Sequence, residues 1–200
     1  MERVRVSRAL VLLPVPSADL PGLEPCLEHL VAAADEASAA GIPTSLVLAT
    51  SADPADLAAL LAEWTPLVAL LEDVDLTVDL HPATAASREE LRERGARALT
   101  ALADPGGTVV LTTTCDVGVG PGWIAEHVRH HRAGAAASTG PVRGTGDVHE
   151  TTANLAVRAD LLPAGAFSPG GPQLPGAGRR FVHALTPVVA TFRVMLPASP

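Results

Sequence analysis

Apolar residues along this chain come first as short unbroken runs and then at helical spacing, and the two patterns take turns. Arg8 to Val15 is a continuous apolar run closed by Pro16-Ser17-Ala18-Asp19, the pattern of a buried strand. From Leu23 to Ala40 the residues Leu23, Cys26, Leu27, Leu30, Val31 and Ala34 recur with the spacing of one helix face, and Gly41 supplies the stop. Ser45 to Leu48 is a second strand. Asp53-Pro54 then reads as an N-cap with proline at the first helical position, opening a helix over Asp56 to Trp64 with Leu57, Leu60, Leu61 and Trp64 on its packing side. Val74 to Leu80 switches to a period of two. A half-buried or edge strand is predicted over Leu76 to Leu80, with Asp75, Thr77 and Asp79 pointing together into water as a solvated acidic face rather than a metal site.

Ser87 with Glu90 three residues on is a capping box for a helix over Ser87 to Leu102. Between Gly106 and Val142 an apolar run (Thr108 to Leu111) passes into Thr-Thr-Thr-Cys-Asp, then Gly118, Gly120, Pro121 and Gly122, then a helix opening at Trp123. That order is strand, loop, helix. Ala135 to Pro141 and Thr152 to Val157 read as short strands around a Gly-rich loop, Arg143 to Glu150. Gly and Pro dominate residues 164–179, which reads as a flexible loop, either a mobile lid or a poorly ordered segment. Phe181 to Leu185 is predicted as a brief helix and Val188 to Met195 as a last strand. Strand and helix alternating through the first two-thirds predict one α/β, Rossmann-like domain over residues 1–200, with a mostly parallel central sheet and helices on both faces.

Composition narrows the picture. Two hundred residues suffice for one core, and with 48% apolar residues but only 2% aromatic ones and no Tyr, that core must be aliphatic. All 14 basic residues are Arg and the net charge is -8, which works against a protein that tracks nucleic-acid phosphates. No apolar run approaches the ~20 residues of a membrane span, and the run after Arg8 is too short and too proline-broken for a signal peptide. Cys26 and Cys115 are too few for a disulfide framework or a zinc cluster, so a reducing cytoplasm is expected.

Candidate chemistry gathers at Thr114 and Asp116. In a parallel sheet ligands bind off the carboxyl ends of strands, which is where these two fall, although Asp-Val-Gly is also ordinary turn chemistry. His127 and His131 stand four apart on the helix after Trp123 and could share a metal, but a solvated face is the expectation. Cys115 is expected to be a small buried thiol. Of Arg88, Arg92, Arg94 and Arg97, Arg92 is the choice for a phosphate ligand, since guanidinium pairs with phosphate oxygens.

Three strings carry a resemblance to family 2 glycosyltransferases of the nucleotide-sugar-binding GT-A fold, in a short actinobacterial style. Leu91 to Ala98 is similar to that family's Ala-Arg-Asn-x-Gly helix, with Arg92 and Gly95 matching. Thr113 to Trp123 resembles its Asp-x-Asp strand end followed by Pro-Pro-x-Trp, and Ala153 to Arg158 resembles its Gly-Ala-Asn-Leu-Ala-Val-Arg segment beside the acceptor. The resemblance implies a nucleotide-sugar donor and a small-molecule acceptor, with Asp53, Arg92, Thr114, Asp116 and Asn154 around them; Asp53 serves equally well as an N-cap. It also implies a divalent cation, Mg or Mn, at Asp116. Thr114 stands where the family has its first carboxylate, so that cation would be weakly held.

The family's Glu-Asp pair, whose Asp is the general base, falls on Gly176 to Arg179, which holds no acid. Asp147, His149 and Glu150 are the substitutes nearest in sequence. Hexosyl transfer through this weakened site is the first reading. A catalytically inactive relative serving as a binding or partner subunit, in a homo- or hetero-oligomer, is the second, and a cleft repurposed for a small metabolite the third.

Overall fold

The structure is a computed structural model that describes residues 5–81, 86–98, 104–140, 151–162 and 181–183. Its strands are β1 (Arg8–Val15), β2 (Thr44–Thr50), β3 (Val74–Leu80), β4 (Thr108–Thr112), β5 (Ala137–Thr139), β6 (Leu155–Arg158) and β7 (Phe181–His183). Its helices are α1 (Leu23–Ala39), α2 (Pro54–Val68), α3 (Arg88–Ala98) and α4 (Trp123–Arg132). One sheet contains all seven strands in the order β3-β2-β1-β4-β6-β5-β7. β3, β2, β1 and β4 are parallel, β6 runs antiparallel to both β4 and β5, and β7 is parallel to β5. This is the Rossmann-like α/β sheet that the alternation predicts.

Both faces of the sheet are covered, unequally. Ala9, Val11, Leu13 and Val15 of β1 face α1, α2 and α4 in the larger core, while Leu10 and Leu12 pair with Val47, Ala49, Val110 and Leu91 under α3. The strand's unbroken apolar run is therefore required, because a two-sided sheet leaves no polar face to its central strand. Gly41, at φ 69, ends α1 as expected. Gly95 has a second reason to be glycine. A Cβ there would collide with Leu12 Cδ1 and come within 3.3 Å of Ala49 Cβ, so its absence lets α3 lie directly on β1 and β2.

Several predicted bounds shift. Helix α2 runs through Pro66 to Val68, past the expected end at Trp64. The segment from Thr151 opens as a 3-10 turn over Thr151–Asn154 before β6 begins at Leu155. Phe181–His183 is a strand, which corrects the expected brief helix: pairing with β5 decides the matter, and no local periodicity signals it. The Gly-rich loop over Arg143 to Glu150, residues 164–179 and the expected strand over Val188 to Met195 lie outside the described residues.

The strand order reverses between β1 and β4, and it is off the carboxyl ends of the strands at such a reversal that sheets of this kind take their ligands. The β1–β4 pairing ends at Leu12 opposite Thr112, and Pro14, which has no N–H to give, follows two residues on while β1 continues along β2.

Candidate functional site

Three segments meet at these strand ends. The chain leaves β1 through Pro16 into a 3-10 turn, Ser17–Gly22, which carries Asp19. It leaves β4 through Thr113 and Thr114, both fully buried, to Asp116. Helix α3 begins beside them, its first turn fixed by the predicted capping box: Ser87 Oγ accepts from the Glu90 N–H at 3.2 Å, and the Ser87 N–H donates to Glu90 Oε2 at 2.9 Å. That cap presents Arg88, the first residue of α3, to the strand ends. Its Nε lies 2.5 Å from Asp19 Oδ2 and its Nη1 3.4 Å from Asp116 Oδ2.

Side-chain exposures of 18% for Asp19, 24% for Arg88 and 40% for Asp116 leave the trio partly open to solvent at the strand ends. Burial pushes the Asp116 carboxyl up, but the Thr114 hydroxyl and the Arg88 guanidinium outweigh it and hold the group below the usual Asp value. Asp116 is therefore an anion across the neutral range. Asp116 Oδ1 is itself a buried atom that pairs with no donor among the described residues.

The remaining expected residues divide between rim and core. Asp53 lies exposed after β2 and accepts from the Ala55 N–H at 2.8 Å, so the N-cap role is realised. Arg92 is 1% exposed, enclosed between α3 and the sheet one turn inward from Arg88. The guanidinium paired with Asp116 is Arg88's. Sequence spacing put four arginines on one helix, and the first turn's position at the strand ends selects among them. Asn154 is also buried, and its Oδ1 accepts from Trp123 Nε1 and His127 Nε2, both at 2.9 Å. Asp147, His149 and Glu150 lie outside the described residues.

His127 and His131 are buried at 2% and 1% exposure, which corrects the expected solvated face. The signal was in the sequence: Trp123, His127 and His131 recur every four residues, in phase with Ile124 and Val128 on the stripe that α4 turns to the sheet. Ser138 of β5 joins the two rings, 2.6 Å from His127 Nδ1 and 3.2 Å from His131 Nε2. The pattern fixes the protons. Because Asn154 Oδ1 only accepts, His127 carries its proton on Nε2 and takes the Ser138 O–H on Nδ1, while Ser138 Oγ accepts from His131 Nε2. Burial above all pushes both histidines down to about 4, with the charge of His127 contributing at His131.

Cys115 is buried as expected, on the α1 side of the loop. The neighbouring Cys26 thiol and then burial raise its pKa well above the usual value, so it is no thiolate nucleophile.

The described residues do not fit a divalent cation well. Among them no three His, Cys, Asp or Glu side chains converge, and the Oδ2 of Asp116 already faces a guanidinium that repels a metal ion. No chemical step is derived through such an ion.

No family model and no curated protein matches this sequence. Solved structures do match its fold. The mannosyltransferase PcManGT of Pyrobaculum calidifontis, in complex with GDP-Man and Mn2+, superposes with a TM-score of 0.62 at 14% identity, over 88% of this chain and 54% of that one. Residues 1–349 of TarS from S. aureus give 0.51 at 14% identity, over 78% and 48%. The 4-diphosphocytidyl-2C-methyl-D-erythritol synthase of Anaerococcus prevotii gives 0.50 at 13% identity, over 78% and 73%. The fold is GT-A-like. The chain spans about half the length of the first two of these.

Proposed function

We propose that this chain binds a nucleotide-diphosphate sugar across the ends of β1, β2 and β4, as a glycosyltransferase-like protein with an altered Asp-x-Asp strand end. The observation that carries the reading is the convergence of Asp19, Arg88 and Asp116 at the reversal of strand order, where a sheet of this kind takes its ligands. Asp53 stands on the same rim, in reach of the ligand's base or ribose. Arg88 offers N–H groups to phosphate oxygens, and Asp116 accepts from a sugar hydroxyl or shares a weakly held cation. Thr114, Arg92 and Asn154, enclosed beneath the rim, hold its shape. In transfer, a small-molecule acceptor would give up its hydroxyl proton to a base drawn from Asp147, His149 or Glu150.

Binding without transfer is the second reading, and Thr114 favours it: a site with one strand-end carboxylate whose charge already meets Arg88 recognises a donor more readily than it stabilises a departing diphosphate. A panel of nucleotide sugars, each scanned for its effect on the melting temperature, tests the proposal. A ligand at 100 times its Kd stabilises the fold by about 2.7 kcal/mol. Asp116→Ala should abolish the shift. A panel that leaves wild type unmoved removes the reading.

A further inference from the structure

Of the described residues, the large apolar side chains left in water are Leu67 at 51%, Leu70 at 80%, Val78 at 37% and Leu80 at 47%, and all four belong to α2, the turn after it and β3. Helix α2 buries only Leu57 and Val68 among its 15 residues despite a run of Leu and Ala. Among the described residues strand β3 is the sheet's edge and pairs with β2 alone, and no described strand takes its outer N–H and C=O groups. Its side chains alternate. Val74, Leu76, Val78 and Leu80 line the α2 side, while Asp75, Thr77 and Asp79 line the other.

Charge distinguishes this edge from an ordinary one. From Ala9 to Ser87 the chain carries twelve Asp and Glu and no Arg or Lys. Edge strands are commonly protected by lysine, and here that protection is replaced by carboxylates. Asp75 accepts from Ser45 and Asp79 meets His81, contacts that hold the two carboxylates in place on the edge.

We propose that β3 is a docking edge for an extended, basic segment of a partner protein, which adds to the sheet as an eighth strand. Main-chain hydrogen bonds would supply affinity and the alternation would supply specificity. A strand laid beside β3 must turn its apolar residues to Val78, Leu80 and α2, and its Arg or Lys residues to Asp75 and Asp79. Opposite charges facing each other across strands stabilise such a pair, and like charges do the reverse. A second copy of this chain fits less well, because antiparallel pairing centred on Thr77 sets Asp75 against Asp79 on both sides.

The test uses fluorescent peptides and the whole chain. A peptide alternating Val and Arg over seven residues should bind at least tenfold tighter than one alternating Val and Glu, and tenfold tighter than one with the same composition but its arginines blocked together. It should also slow amide exchange along Val74 to Leu80. Asp75→Asn with Asp79→Asn, on a fold verified by circular dichroism, should remove most of the preference. Equal binding of the blocked peptide would reduce the effect to bulk charge and overturn the proposal. So would exchange protection elsewhere than β3, or a wild-type dimer already protected along that strand without peptide.

Discussion

Acid should unfold this protein earlier than its carboxylates alone would dictate, because two histidines are folded into its core uncharged. His127 and His131 sit at about 4 in the folded chain, against an ordinary value near 6.5 when unfolded. A depressed histidine pKa means that the unfolded state binds protons first, so this stability is fully present above pH ~6.5 and is lost as the pH falls toward ~4. Between pH 7 and pH 5 each histidine costs about 2 kcal/mol, and the pair about 4 kcal/mol. For a domain of this size that is ~8–16 °C in melting temperature. Asp116 and Glu126, both lowered from their ordinary values, add to the loss only in stronger acid. Urea melts at pH 5, 6, 7 and 8 on wild type and on His127→Gln/His131→Gln check the sum. The double variant starts less stable because the Ser138 and Asn154 contacts are gone, but its decline between pH 7 and pH 5 should be shallower by roughly the histidine share. Parallel curves for the two proteins would show that the rings are not buried neutral.

Other outcomes follow from particular contacts. Arg88→Ala should weaken nucleotide-sugar binding at least tenfold in calorimetry while leaving the far-ultraviolet spectrum intact; unchanged affinity would make the Asp19–Arg88–Asp116 contacts purely architectural. Replacing manganese by chelator in the same titration should change the affinity by less than threefold if Arg88 meets the ligand's charge, and a strict metal requirement would contradict the poor fit seen at Asp116. Gly95→Ala should cost about 1–3 kcal/mol in urea melts, because α3 must lift off Leu12 and Ala49. Asp53→Ala should cost about 1 kcal/mol as a lost N-cap. Any additional loss of nucleotide affinity in that variant would place the side chain against the ligand as well.

Much of the framework was legible in the chain because each level repeated the same message. Apolar runs, helical stripes, Asp53-Pro54, Ser87 with Glu90 and Gly41 are local signals, and local geometry obeys them. The strand bounds Arg8 to Val15 and the helix start at Trp123 were read directly, and the two-sided burial of β1 was implicit in its unbroken apolar run. Period two in β3 placed Asp75 and Thr77 on an exposed face, while Asp79 on the same face is only half-exposed beside His81. The sequence resemblance also named Asp116 as the strand-end acid.

What the sequence could not decide is which partners meet across the fold. Arg88 and Arg92 are equivalent in composition and one turn apart; only the seating of α3 on β1, made possible by Gly95, puts the first at the rim and the second inside. Asp19 gave no local signal at all, since a carboxylate in a turn acquires its meaning from a guanidinium 69 residues away. His127 and His131 fall on the apolar stripe of their own helix, but that Ser138 and Asn154, from two other segments, would supply their hydrogen-bond partners was not legible there. The short strand at Phe181 likewise exists because β5 offers it an edge. Periodicity is written in neighbours along the chain and so determined the elements. Pairing energy depends on distances between residues far apart in sequence, and only the closed sheet sets those.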